Sequence, residues 1–199
     1  MLVDLDPLSP GRRYKLLASL VVPRAIAFVT TLSDAGVVNA APYSFFNCFG
    51  SDPALVICHS GDRPPPADTP KDTYLNIKAQ NGAFVVNLVS ETMARRMNAC
   101  AAPLPHGVSE AEVNNLPTEP IDGFPIPRLA ESPASLACRL LEVKHVGNNR
   151  LLLGQVHHIA AADGLIDPDT FRVDADRLHL IGRMGPPGGY TTTRDTFDL

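Results

Sequence analysis

Between Pro23 and Asn47 the chain reads PRAIAFVTTLSDAGVVNAAPYSFFN, two apolar arms joined by the turn Ser33, Asp34, Ala35 and Gly36, and that pattern confines the segment to a β-hairpin. The first arm, Ala25 to Val29, ends in the hydroxyls of Thr30 and Thr31; the second runs from Val37 to Ala41. Pro42 cannot donate to a sheet ladder, so it belongs at a strand edge, a bulge or an exit. Directly after it, Tyr43, Ser44, Phe45, Phe46 and Asn47 put small, aromatic and amide side chains into five positions. A flat heteroaromatic ligand needs that mixture, apolar faces to lie against and a few polar groups at its edge. Spacing alone equally fits Phe45 and Phe46 as ordinary core, Thr30 and Thr31 as ordinary strand residues, and Pro42 as a simple strand end.

A chain of 199 residues is long enough for one domain with a substantial core, and two full domains are not expected. With 45% hydrophobic and 19% charged residues, bulk disorder is not expected either. The formal net charge of −4 gives no electrostatic reason for nucleic acid or an anionic membrane as partner. No apolar run is long enough to span a bilayer, and the opening MLVDLDPLSP carries acids before any base, so a cytoplasmic location is expected. Cys48, Cys58, Cys100 and Cys138 are widely spaced with no paired CxxC, the pattern of free thiols rather than of a zinc knuckle or a disulfide framework.

The pattern further predicts a short helix over Tyr14–Leu20, ended by Pro23. Strands are expected at Ala54–His59, Ala83–Val89, Ala134–Val146 and Leu151–Ala161, the last two joined by the turn Gly147, Asn148, Asn149. Adjacent His157 and His158 point to opposite faces of their strand and cannot jointly grip one metal, and no metal site is read from the sequence. Between Ser60 and Gly82, the prolines 64–66 make a stiff loop; Thr69 then reads as an N-cap with Pro70 first in a helix, Asp72 as a capping-box carboxylate, and Asn81 with Gly82 as the stop. Lys71 and Thr73 in that first turn offer a cation, a hydroxyl and unpaired amides together, which suits a phosphate. The same residues also read as a solvated lysine and a plain cap. Ser90 is expected to cap a helix through Met97, and the proline-rich excursion 103–133 to carry one capped helical piece at Ser109–Asn114. A helix is expected over Pro168–Ile181, followed by the glycine-rich tail GRMGPPGGY, which lacks the strand and helix of a dinucleotide fingerprint. Strands in hairpins with helices that do not alternate with them favour an antiparallel barrel over a parallel sheet.

Five of these motifs, PRAIAFVTT, GVVNAAPYSFFN, SDPALVIC, KDTYLNI and AFVVNLV, stand in an order that resembles the flavin reductase-like family, the FMN-binding split-barrel proteins. Within it the chain is most similar to the branch of reductase components of two-component monooxygenases, such as that of nitrilotriacetate monooxygenase. The resemblance is strong from Tyr14 to Val89 and looser to Tyr190. It implies a mainly β fold with peripheral helices, a six-stranded antiparallel split barrel built as one domain over 1–199. It also implies a homodimer with FMN in a groove at the subunit interface. By the same resemblance Thr30, Thr31, Ala41, Pro42, Tyr43 and Ser44 would line the isoalloxazine and ribityl chain. Phe46 and Asn47 would hold its polar edge or phosphate side. Lys71, Asp72 and Thr73, with Ser60 as a weaker candidate, would hold the phosphate.

One departure concerns the electron donor. Many relatives place an Asp-His pair in the turn that here reads Gly147, Asn148, Asn149, and neutral asparagine orients an amide but cannot donate a proton as imidazolium does. The resemblance implies hydride transfer from NADH or NADPH to FMN and onward delivery to an acceptor or partner oxygenase, with no side chain required as acid or base. An FMN electron carrier or sensor without a nicotinamide site, and a cofactor-free ligand-binding or interaction barrel, are the other readings.

Overall fold

The computed structural model describes residues 1–63, 69–147 and 149–197. The stiff loop expected at the prolines 64–66 and the turn residue Asn148 therefore lie outside the described residues. Helix α1 spans Pro10–Leu20 and precedes strands β1 (Ala27–Leu32), β2 (Val38–Tyr43), β3 (Phe46–Ser51) and β4 (Ala54–His59). Helix α2 (Asp72–Ala79) leads to β5 (Ala83–Asn87), and α3 (Ala94–Ala99) and α4 (Glu110–Val113) to the hairpin β6 (Thr118–Ile121) and β7 (Phe124–Leu129). The long pair β8 (Ala134–Val146) and β9 (Asn149–Ala161) follows, then the short hairpin β10 (Ile181–Arg183) and β11 (Tyr190–Thr192). The main sheet has the order β2-β1-β5-β8-β9-β4-β3. All its pairings are antiparallel, as in a split barrel.

The period of two along each strand decides which core a residue joins. Ala27 and Val29 of β1, Phe84 and Val86 of β5, Cys58, Cys138 and Leu152 meet Ile77 of α2 in the barrel interior. Between them, Phe28 points outward into a second cluster with Met93, Met97, Ala111 and Leu116, which covers that face. Ala83 and Val85 likewise point out, under Ile121 and Ile126 of the β6–β7 hairpin. Phe28 and Phe84 are fully buried, and each such ring contributes about 1.5–3 kcal/mol of burial energy. Gly154 is required where it stands, because a Cβ there would lie 2.5 Å from Cζ of Phe84.

Several expectations are corrected. The sheet has seven strands rather than six, β3 being the addition. Its residues run along an exposed edge and show no alternation of burial, so they carry no strand pattern. Thr69 does not cap α2 and Pro70 is not in its first turn; the N-cap position is Lys71, and Pro70 bridges back to Asp62. Ser90 makes no cap bond either, its hydroxyl lying 2.9 Å from that of Thr92. Ser109 does cap α4, accepting from the Glu112 amide at 3.2 Å. The stretch 168–181 is not a helix apart from a single 3-10 turn at Ala175–Arg177. Asp167 Oδ1 takes the amides of Asp169 and Thr170, and Phe171 and His179 have positive φ of 56° and 43°, which break a helix at both ends. The glycine-rich tail folds as the β10–β11 hairpin.

Candidate functional site

The exit from β2 is where the fold leaves room for a ligand. Pro42 sits within β2, tolerated because β2 is an edge strand, and Ser44 and Phe45 bend the chain before β3 begins. A cleft of about 680 Å³ opens on one side of this bend, between Pro42–Phe45, residues of α1 such as Tyr14, and His59 with Asn149. A smaller cavity of about 220 Å³ lies against Pro42–Ser44 as well, walled by Met97, Arg183 and Tyr190. Arg24 fixes the bend. Its buried guanidinium donates to the carbonyls of Ala18, Val21 and Met184, approaches Ser44 Oγ at 3.4 Å from Nε, and lies 5.7 Å from the centre of the Phe45 ring. One side chain thus ties the end of α1, the β10–β11 hairpin and the cleft wall together.

Tyr43 joins the cleft to the start of α2. Its hydroxyl donates to Thr73 Oγ1 at 2.8 Å, and Asn39 Nδ2 donates to the same oxygen at 3.2 Å. Burial pushes the Tyr43 phenol up to about 12, so it stays a neutral donor. Lys71 Nζ stands 5.5 Å from the centre of the Tyr43 ring. Burial first, and then the charge of Arg63, hold the Lys71 ammonium below its ordinary pKa. Asp72 does not relieve it: its carboxylate is taken by Arg63 at 2.6 Å and faces His106 Nδ1 at 2.8 Å. Lys71 forms no ion pair among the described residues. Beside it, the buried hydroxyl of Ser60 has no hydrogen-bond partner among the described residues. A cation, a hydroxyl and a phenol ring thus converge at one place without a counter-anion among the described residues.

Sequence reasoning missed His59. The β4–β9 register sets His59 opposite Leu151, two positions from Asn149, so a histidine from β4 stands beside the turn that brings none of its own. Its ring packs against Phe45 with centroids 5.8 Å apart, and its buried Nε2 is unpartnered among the described residues. Burial, then the charge of Lys71, lower its pKa, and the Asn149 side chain, acting as an acceptor, opposes them, so the balance favours the neutral ring. Arg24 was also overlooked, although its place before a hairpin that packs on α1 gave no signal beyond its charge.

The remaining predicted residues divide. Pro42, Tyr43 and Ser44 line both cavities, and Ser60, Lys71 and Thr73 gather around Tyr43. Thr30 and Thr31 are fully buried within the chain: Thr30 donates to the Pro127 carbonyl at 2.7 Å, and Thr31 accepts from Asn76 at 3.1 Å. Ala41 and Phe46 pack on the barrel core, so Phe45 rather than Phe46 is the phenylalanine facing the cleft. Asn47 is exposed on β3, its side chain accepting from the Cys48 amide at 2.8 Å.

A family model described as "Flavin reductase like domain" matches residues 19–174. An uncharacterized protein of Deinococcus radiodurans is 42% identical over 202 residues, which span 98% of this chain and 87% of the relative. Among solved structures, 2-nitrobenzoate 2-nitroreductase of Pseudomonas fluorescens shares 32% identity with a TM-score of 0.90, over 100% of this chain and 95% of its own. Nitrilotriacetate monooxygenase component B from Bacillus cereus also reaches a TM-score of 0.90, at 28% identity, over 100% of this chain and 98% of its own.

Proposed function

The chain belongs to the flavin reductase-like family, and from that premise we propose that it is an FMN-binding, NAD(P)H-dependent flavin reductase. The observation that carries the FMN assignment is the Lys71 ammonium beside the Ser60 hydroxyl, neither partnered among the described residues, next to an aromatic cleft. Those groups fit the phosphate and the flat ring of one molecule. Lys71, Ser60 and Thr73 would hold the phosphate, with Asp72 keeping Arg63 close by. Pro42, Tyr43, Ser44 and Phe45 would bound the ring. Bound FMN supplies the hydride-accepting chemistry, and the protein supplies position and electrostatics.

His59 and Asn149 give this chain's own contribution to the donor side. A neutral imidazole next to a carboxamide offers one donor and one acceptor to an amide such as that of NADH or NADPH. The turn without its own histidine favours a second reading, a flavin carrier or sensor without a nicotinamide site. A homodimer is part of the proposal, supported by the exposed apolar Leu17, Leu20 and Val21 at α1 and Phe49 on β3, which a second copy would cover. The solved relatives suggest two destinations for the electrons, a nitroaromatic acceptor or a partner oxygenase.

The test is spectroscopic. Purified protein should take up FMN and bleach it anaerobically with NADH or NADPH. Uptake without bleaching by either nucleotide defeats the reductase reading and leaves the carrier reading; no uptake defeats both.

A further inference from the structure

The cavity of about 220 Å³ on the β10–β11 side of Pro42–Ser44 has its own chemistry. Arg183 enters it from β10 with its guanidinium 4.6 Å from the centre of the Tyr190 ring. Among the described residues Arg183 forms no ion pair, and the one hydrogen bond of its guanidinium is a long 3.4 Å contact to the Gly188 carbonyl. Arg24, paired with it through the backbone bridge Arg24↔Arg183, also lacks a carboxylate partner among the described residues. One guanidinium, that of Arg183, thus lines a small cavity that has no acid in its lining among the described residues, and Arg24 adds a second positive charge behind the Ser44 wall.

Two neutral groups there, Asn98 and Ser44, have acceptors engaged and donors to spare. Tyr190 Oη sits 2.8 Å from Asn98 Oδ1, which leaves the Asn98 amide hydrogens free. Ser44 Oγ faces Arg24 Nε, which leaves the hydroxyl proton free. The other walls are apolar or aromatic, from Met97 and Tyr14. A pocket with a planar guanidinium fork, spare N–H and O–H donors and an aromatic wall fits one chemistry best: a carboxylate on a small aromatic ring, bound bidentately by arginine.

The geometry points to this cavity as a subsite for a small aromatic carboxylate, with Arg183 as its anion partner and Asn98 and Ser44 as orienting donors. Because Pro42–Ser44 is shared with the proposed ring wall, the acid would be held beside the flavin. That placement rests on the FMN reading; the binding itself does not.

Calorimetry with benzoate tests it on the full chain. Benzoate should bind, and Arg183→Gln should weaken it at least tenfold, with Arg183→Lys between the two because the charge stays and the fork is lost. Benzamide, which lacks the charge, should be affected little by either substitution. Asn98→Asp, at an exposed helical position that tolerates change, should abolish benzoate binding by pairing Arg183 internally, which gives a second variant should Arg183→Gln fold poorly. Benzoate affinity unchanged in Arg183→Gln or Asn98→Asp overturns the inference, as does inorganic phosphate displacing benzoate on equal terms. FMN uptake, followed by absorbance in the same preparations, separates the two readings. Benzoate binding that depends on Arg183 in a protein that refuses FMN supports the subsite and counts against the reductase alone.

Discussion

The hydroxyl of Tyr43 donates to Thr73 Oγ1 across 2.8 Å and 30 residues of sequence, joining the cleft wall at the end of β2 to the first turn of α2. Thr73 also accepts from Asn39, so it is the hub of the two and is itself buried. Thr73→Val leaves the Tyr43 hydroxyl and the Asn39 amide without their acceptor, a cost of roughly 1–3 kcal/mol for each buried orphan. Tyr43→Phe removes one donor while Asn39 still serves Thr73, a cost nearer 1 kcal/mol. Urea midpoints should therefore order wild type above Tyr43→Phe above Thr73→Val; the reverse order of the two variants would show that the hub has been misidentified.

Lys71 permits a prediction with opposite signs in two measurements. A partly buried cation beside Arg63, without a counter-charge among the described residues, is a cost to the unliganded protein, since its pKa is lowered by both burial and Arg63. Lys71→Met should leave the thermal midpoint of the FMN-free protein equal or higher. FMN affinity should fall on the order of 10- to 100-fold, the worth of a charge-assisted contact of about 1.5–3 kcal/mol. A lower midpoint together with unchanged FMN affinity would assign Lys71 to stability and remove it from the phosphate site.

His59 sets a pH dependence whose sign follows from its lowered pKa. The native imidazole gives up its proton more readily than the unfolded chain, so protonation favours unfolding. Its contribution is fully present above the ordinary histidine value of 6.5 and is lost as the pH falls below it toward the native pKa. Glu110 is shifted the other way, its carboxyl raised chiefly by burial, so the wild-type profile is a composite. Comparing His59→Gln with wild type between pH 7.5 and 5.5 isolates the histidine. The variant should lose less stability on acidification, and parallel profiles would show that the site does not strain the charged ring.

The thiols differ in reactivity for the same reason of burial. Cys58, Cys100 and Cys138 are buried and their thiols are pushed up to about 12, mainly by desolvation, whereas Cys48 is exposed on β3. A chromogenic disulfide reagent at pH 8 should label one thiol quickly and the other three only on denaturation; a second fast thiol would mean that the barrel core opens.

What could be read from the residues follows from where each signal resides. β8 was legible to the residue, Ala134–Val146, because its apolar pattern is long and ends at a glycine turn. β3 was not, since Phe46–Ser51 lies on an exposed edge where no face selects apolar residues. The hairpin in the excursion was hidden by Pro120, Pro125 and Pro127, which normally argue against strands. At the site, Tyr43, Lys71 and Thr73 carried their chemistry in local sequence. His59 carried none locally: only the β4–β9 register sets it beside Asn149, and a register is a tertiary fact.

Gly154 offers the strictest test of the barrel interior. It sits on β9 opposite Val56 of β4, where a Cβ would lie 2.5 Å from Cζ and 3.1 Å from Cε1 of Phe84. That ring is buried among Val29, Ile77 and Val86 and has no solvent to move into. Gly154→Ala adds one methyl group to a full core, which typically costs about 1–3 kcal/mol. Shrinking the ring makes the space, so Phe84→Leu in the Gly154→Ala background should recover part of the loss, although Phe84→Leu alone is destabilising. A non-additive double-mutant cycle from chemical denaturation is the expected result. Strict additivity would mean that the two side chains do not meet and that the barrel closes more loosely than this packing requires.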